Sequence, residues 1–299
     1  MSSPDSWTTF HCENPDFTVR SVPDDISFRV NRESMRNSEV FRDMFLIGEG
    51  GSSGHEEQTV DIHETAAVLI ALLRLLHYPP APPVLKPQEE NWQYGIPHHK
   101  WPKRMYDPAS VIPLPLLLDL LYGLVDKYAI SDAVAQTFNV HLLAHASTFP
   151  LQVYGFATAQ GIDYVANEAS QYLMPLASYR PHEIALIPDV LAYHKLVQLQ
   201  AARVKALRDL VIGEEIFPHG YGACPSHQQE TTACWEARRT ALASVIETDT
   251  DIAGEMEAMA ESLPKTCKAC QKACTAAVQM LAYKSRKTLR RIDQLPAES

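Results

Sequence analysis

The sequence predicts an α+β N-terminal domain, a small sheet with helices, followed by a mainly α-helical C-terminal half. Three observations carry this expectation. Residues Phe17 to Val30 alternate with a period of two on either side of a Pro-Asp turn, the pattern of a hairpin. From Met35 onward most apolar segments repeat instead at three to four residues, the pattern of helices with one buried stripe. A chain of 299 residues with 46% hydrophobic content can also fill more than one core without cross-links.

Phe17, Val19 and Ser21 share one strand face, Val22-Pro23-Asp24-Asp25 supplies the turn, and Ile26, Phe28 and Val30 resume the alternation. Met35, Ser38, Phe41, Met44 and Phe45 then lie on one side of a helix. Gly48, Gly50, Gly51 and Gly54 end it, and Gln58 to Ile62 reads as a third short strand. The glycines read as a surface loop rather than a phosphate loop. They follow a helix, lack a Gly-Lys-Ser/Thr ending and run into Glu56 and Glu57, which repel phosphate.

A strongly apolar helix is expected from Glu64 to Tyr78, stopping at Pro79-Pro80. Ten of the 21 prolines fall between Pro79 and Pro115, which excludes a long helix or a central strand there. Residues 79–113 therefore read as an insertion, and its Trp92, Tyr94, Trp101 and Tyr106 imply either docking back on the domain or a recognition loop. His98-His99 within it reads as a solvated pair. Leu116, Leu117, Leu120, Leu121, Leu124, Val125 and Tyr128 make a further buried helix, and Ala133 to Ala146 another. Gly155 to Gln160 and Tyr164 to Leu173 continue as helices, broken by Gly161 and Pro175. Val190 to Val211 runs unbroken through Leu191, His194, Leu196, Val197, Leu199, Val204, Leu207 and Leu210 up to Gly213. The expected organisation is a flexible start at 1–9, an interaction domain at 10–146, a helical extension at 147–212 and a Cys-containing helical tail at 213–299.

The formal net charge of −10 and the mixing of acids with bases favour a soluble protein over one with a broad nucleic-acid face. An acidic stretch from Glu247 to Glu261 precedes a basic one that includes Lys265, Lys268, Lys272, Lys284, Arg286, Lys287, Arg290 and Arg291. It reads as two solvated helix surfaces of opposite sign, with nuclear import or anion binding as the other reading. The N-terminus lacks the basic start and apolar run of a signal peptide. Ala66 to Leu76 and Leu114 to Val125 are interrupted by Arg74 and Asp119 and fall short of the roughly 18 residues of a membrane span. A cytoplasmic or nuclear location without membrane contact is expected, and there six cysteines serve as thiols or metal ligands rather than bridges.

No Gly-x-Ser-x-Gly elbow, His-Glu-x-x-His pair or Walker loop occurs, so no enzymatic activity is expected. His77 and His194, on apolar faces, read as packed rather than catalytic. The cysteines form the one chemical constellation. Cys224-Pro225-Ser226-His227 and Cys267-Lys268-Ala269-Cys270 each place two soft ligands three apart, which lets one metal bind both across a turn. A structural zinc on Cys224, His227, Cys267 and Cys270 is one reading, with Cys234 or Cys274 able to replace His227. The other is a packed stripe of free thiols, since Cys267, Cys270 and Cys274 also share a helix face. A disulfide ranks last.

Asp16-Phe17-Thr18-Val19, Ile26 to Arg32 and Met35 to Phe45 resemble the first two strands and the Leu-x-x-Ser-x-x-Phe-x-x-Met-Phe helix of the BTB/POZ family. Leu117 to Tyr128 resembles that family's later Leu-Ala-Asp-Lys-Tyr helix. With its long insertion and Cys-bearing tail, the arrangement is most similar to the BTB proteins of higher fungi. Asn31 stands where the family has His, and the family lacks the proline-rich segment; Asn makes the same local hydrogen bonds and caps a helix. The resemblance spans residues 10–146 and extends loosely over 147–212. It implies a protein-interaction adaptor or scaffold with two partner classes: a second copy through self-association, or the cullin of a ubiquitin ligase. Cullin-binding members carry a hydrophobic-x-Glu motif after the Met-Phe helix, and Ile47-Gly48-Glu49 has that form, which makes Ile47 and Glu49 the candidate partner-binding residues. Two other classes stay open: a zinc-containing transcription or nucleic-acid-associated factor using the basic tail, and an enzyme without a familiar motif.

Overall fold

The computed structural model describes residues 7–48, 59–87, 104–218, 222, 224–260 and 267–296. They fall into two compact units, 7–87 with 104–148 and, separately, 149–296. The first is α+β and the second is helical.

In the first unit β1 (Phe17–Ser21) pairs antiparallel with β2 (Ile26–Val30) and parallel with β3 (Thr59–Ile62), giving the order β2-β1-β3. The register sets Phe17 opposite Val30 and Val19 opposite Phe28 and Val60. Central β1 buries Phe17, Val19 and Ser21, as its alternation requires. Edge strand β2 buries Val30 alone among its three alternating apolar residues, because the hairpin end carries Ile26 beyond the core. The turn between them places Asp25 at φ 52°, a conformation Asp tolerates better than most side chains. Asp24 accepts the Ala66 N–H at the start of the next helix, so one turn serves both sheet and helix.

The helix expected from Met35 to Phe45 is two helices, α1 (Arg32–Met35) and α2 (Glu39–Gly48). The break has a polar cause. Asn37 donates to the Leu76 carbonyl (2.8 Å) and Ser38 Oγ to the Tyr128 carbonyl (2.6 Å), and these long-range bonds displace helical geometry between them. The apolar face survives the break, with Met35, Phe41 and Phe45 buried. Asn31 caps α1 by accepting the Ser34 N–H at 3.0 Å.

Helix α3 (Ala66–His77) begins at the Thr65 cap and is buried nearly all round, as its composition requires. His77 accepts the Asn31 N–H through Nε2 (3.0 Å) and faces the Leu73 carbonyl through Nδ1, the packed role its apolar position implied. After the insertion, α4 (Leu114–Leu116), a wide π-helical turn (Leu117–Leu121) and α5 (Tyr122–Lys127) run on as one rod, followed by α6 (Asp132–His145). Pro108–Lys127 has the length and apolar composition of a membrane span. In the fold it is interrupted at 111–113, buries Leu114, Leu117, Leu121 and Leu124, and exposes Asp119, Asp126 and Lys127, the pattern of an amphipathic helix.

The base of the proline-rich insertion is docked. Leu85 bridges Tyr106, and His141 and His145 of α6 clamp the two ends of the segment. His141 Nδ1 accepts the Ile112 N–H (3.2 Å), which leaves the proton on Nε2 to donate to the Ala81 carbonyl (3.0 Å), and His145 Nε2 donates to the Ile112 carbonyl (2.8 Å). Trp92, Tyr94, Trp101, His98-His99 and the Gly50 to Gly54 loop lie outside the described residues.

Burial holds His141 down to about 4, and its neighbour His145 is lowered for the same reason. Both rings are therefore neutral in the fold and protonate more readily once it opens. Their contribution to stability is complete above the unfolded value near pH 6.5 and is lost as pH falls below it, for His141 down toward 4. For His141 alone this is on the order of 3 kcal/mol, from about 1.4 kcal/mol per pH unit. Denaturant midpoints of the first unit should drop between pH 7 and pH 4.5, and equal midpoints would mean that the rings do not clamp the segment.

The second unit opens with α7 (Pro150–Ala159) and α8 (Asp163–Ser170), joined through Gly161 at φ 68°. Gly155 lets the Leu186 carbonyl approach α7 so closely that any β-carbon would collide with it. A short α9 (Pro181–Ile184) leads to α10 (Val190–Gly213), which starts at the Asp189 cap. Helices α11 (Gln228–Val245), α12 (Ile252–Ala260) and α13 (Lys268–Ser285) close a core of Leu207, Val211, Trp235, Leu242, Met256, Cys274 and Leu281 against it. Three residues of the apolar run of α10 face outward. Leu191 is 74% exposed, and His194 and Val197 are exposed, because the buried stripe runs through Ala192, Leu196, Leu199, Arg203, Leu207 and Val211.

Candidate metal centre

Cys224, His227, Cys267 and Cys270 meet at one point although some forty residues separate the two pairs in sequence. Each pair sits at the start of a helix. The carbonyl of Cys224 accepts the N–H groups of His227 (3.2 Å) and Gln228 (2.8 Å), a turn that leads into α11 with His227 at its N-cap. Cys267 is the N-cap of α13, and Cys270 falls in its first turn. Contact between α11, α12 and α13 brings these two helix starts together.

Within the pairs, Cys224 Sγ lies 3.4 Å from His227 Nδ1 and Cys267 Sγ lies 3.4 Å from Cys270 Sγ. All four ligand atoms lie within 4.8 Å of one another. Bonds of roughly 2.0–2.3 Å to a tetrahedral centre demand edges near 3.7 Å, so each ligand needs to move inward by less than about an ångström. The spread is slightly wider than the roughly 4 Å expected of a filled site. Three sulfurs and one imidazole form a soft donor set, and the cluster has the composition and geometry to hold a metal ion.

The surroundings favour thiolate at Cys267 and oppose it at Cys270. The sulfur of Cys267 is approached by the backbone N–H groups of Cys270 and Ala269 and by the Cys270 and Cys224 thiols, which hold its thiol below the usual cysteine range. Burial pushes the Cys270 thiol up, against the hydrogen bond from the Thr231 hydroxyl. Positive helix ends at α11 and α13 favour the negative charge of bound sulfur. The two spare cysteines take other roles. Cys274, fully buried one turn further along α13, packs in the core, and desolvation pushes its thiol up to about 11; Cys234 is exposed. His227 completes the four. The Cys267 to Cys270 separation is far beyond the roughly 2.05 Å of a disulfide, and all six cysteines are free.

At the other candidate site, Ile47 lies in the last turn of α2 and is 83% exposed, next to Leu46 at 64%. Glu49 lies outside the described residues. Pattern reading overlooked Arg203, which is buried and donates from Nε to the Thr248 carbonyl (2.5 Å) and from Nη1 to the Leu289 carbonyl (3.1 Å). The signal was present: 203 continues the i, i+3, i+7, i+11 stripe of Leu196, Leu199 and Leu207. Nothing in the pattern marks His141 and His145 as clamps, because their partners are backbone groups of an irregular segment.

No protein-family model, curated protein or solved structure matches this chain.

Proposed function

We propose that this chain is a non-enzymatic protein-interaction adaptor acting in the cytoplasm or nucleus, built on a BTB/POZ-like first unit and stiffened by a structural zinc in its second. The observation that carries the reading is the exposed apolar end of α2. Phe45 is the last buried residue of that helix, and Leu46 and Ile47 follow it into solvent. Val40, 44% exposed, stands two turns before Ile47 on the same helix face. A strip of large aliphatic groups on a helix otherwise anchored to the core is suited to a protein partner. The β2-β1-β3 order and the packing of the Met-Phe helix against the segment ending in Tyr128 support the family reading.

Of the two partner classes, the hydrophobic-x-Glu segment favours a cullin scaffold, with self-association as the companion activity of such domains. Zinc suits the three-sulfur, one-nitrogen donor set, and with all four positions taken by protein the metal is structural rather than catalytic.

Ile47→Asp and Glu49→Lys should each abolish cullin co-precipitation, and Ile47→Asp, at a side chain 83% exposed, should leave stability within about 0.5 kcal/mol of wild type. A wild-type chain that captures no cullin and sediments as a monomer would remove the adaptor reading from this surface.

A further inference from the structure

We propose that the second unit carries a binding site for a small molecule bearing more than one phosphate, in the cavity beyond the C-terminus of α13. The cavity measures about 420 Å³ and is lined by four cations, Arg286, Lys287, Arg290 and Arg291, together with Thr288, Gln171 and Gln294. Small-molecule sites commonly run from roughly 300 to 1,000 Å³, so this one takes a compact organic anion rather than a single ion.

The cationic side chains are not needed as helix caps. At the end of α13 the Ala282 carbonyl accepts the Arg286 N–H, the Lys284 carbonyl accepts the Lys287 N–H, and the Ser285 carbonyl accepts both the N–H and the hydroxyl of Thr288. The carbonyls of Ala282, Lys284 and Ser285 are thus met by backbone and hydroxyl groups.

The segment is also held in shape before any ligand arrives. Gln294 Oε1 accepts the N–H groups of Arg290 (2.6 Å) and Arg291 (3.0 Å), and the Ile292 N–H donates to Ser170 Oγ (3.2 Å). From beneath, buried Arg203 donates to the Leu289 carbonyl and reaches Thr288 Oγ1 at 3.4 Å, which ties the loop to α10. Such prior ordering lowers the entropic cost of binding.

Positive charge is concentrated here. Four cations and no carboxylate line the cavity, and Arg203, bonded to Thr288 and the Leu289 carbonyl, adds a fifth positive group to the segment. Burial and the proximity of Arg290 hold Arg203 down to about 10, and burial lowers Arg290 as well. Several carboxylates nevertheless lie close to these cations. Glu168 and Asp293 pair with Arg291 at 3.6 and 2.9 Å, while Asp249 and Asp251 attract Arg203 and Arg290. They hold Arg291 in place and offset part of the positive charge, and none of them lines the cavity. Lys287 donates to the neutral hydroxyl of Tyr283. Guanidinium forks and an ammonium around a concave space match phosphate oxygens, whose charge-assisted bonds are about twice as strong as neutral ones. An extended nucleic-acid backbone would need a long basic face instead, and the chain is acidic overall.

The test is calorimetric titration of the full chain with fructose 1,6-bisphosphate, alongside sulfate and a single-stranded oligonucleotide. Arg286→Glu and Lys287→Glu reverse two exposed charges, and thermal melting without ligand checks that each variant stays folded. We expect saturable bisphosphate binding by wild type, weaker binding of sulfate and the oligonucleotide, and at least a tenfold loss of affinity in the double variant. Absence of saturable bisphosphate binding at millimolar concentration would overturn the proposal. So would equal affinity in the double variant, or an oligonucleotide that binds more tightly than the bisphosphate with the same dependence on these two residues.

Discussion

Chelation of the proposed zinc from the full chain is expected to destabilise the second unit by about 4 kcal/mol or more while leaving the first unit's transition in place. The estimate follows from mass action: a ligand that binds only the folded state at 1,000 times its dissociation constant adds about 4.1 kcal/mol, and structural zinc sites bind tightly enough to exceed that ratio. The loss should concentrate at the N-termini of α11 and α13, which Cys224, His227, Cys267 and Cys270 join. The helices should not unravel fully, because Trp235, Leu242, Cys274 and Leu281 still pack between them and Trp235 Nε1 still donates to the Glu214 carbonyl at 2.9 Å. Elemental analysis of purified protein should find one zinc per chain. Cys270→Ser should abolish it and lower the second unit's melting temperature, whereas Cys274→Ser should retain it, since that thiol faces the core. Zinc-free wild type would leave the cluster a packed set of thiols, and equal zinc content in Cys270→Ser would place the metal elsewhere.

How far the sequence anticipates this centre depends on which physical signal each part emits. Ligand pairs spaced three apart are a local property, so Cys224 with His227 and Cys267 with Cys270 could be nominated before any fold was known. Their convergence is not local. It depends on α11, α12 and α13 folding back on one another around Met256 and Trp235, and the acidic and basic surfaces of that segment give no register for such packing. The same division runs through the first unit. Period-two alternation located β1, and the Asp24-Asp25 turn marked the hairpin, but the parallel partnership of β1 with β3 spans some forty residues and emits no local sign. Apolar periodicity placed Phe41 and Phe45 correctly, yet it joined α1 to α2, because a pattern of apolar residues does not register that Asn37 and Ser38 bond to Leu76 and Tyr128 far along the chain. In α10 the long run of apolar residues overstated the buried face. The stripe of Leu196, Leu199 and Leu207 passes through Arg203 and leaves His194 on the opposite face, but the carbonyls of Thr248 and Leu289 that the buried guanidinium meets are invisible in a hydropathy pattern.

Replacing Phe41 with alanine should cost about 3–5 kcal/mol, the usual loss for a buried phenylalanine. The side chain is 3% exposed and stacks on Tyr128 with ring centres 5.6 Å apart and planes within 6° of parallel. Its removal therefore forfeits both buried area and an aromatic pair of about 0.5–1.5 kcal/mol. Collapse around the gap is restricted, because Tyr128 is held from several directions. Its hydroxyl donates to Glu64 Oε1 at 3.0 Å, its carbonyl accepts from Ser38 Oγ, and the neighbouring Ala129 carbonyl accepts the Glu39 N–H at 3.1 Å. A pinned ring cannot follow the retreating wall, so a cavity remains and the cost should lie toward the upper end of the range. Phe41→Leu, which keeps most of the volume, should cost less than half as much. Denaturant unfolding of the full chain would report the change in the first unit's midpoint, with the second unit's transition as an internal reference. If Phe41→Ala and wild type unfold at the same midpoint, α2 is not anchored through this face. The exposed end at Leu46 and Ile47 would then lack the rigid support that a docking surface requires.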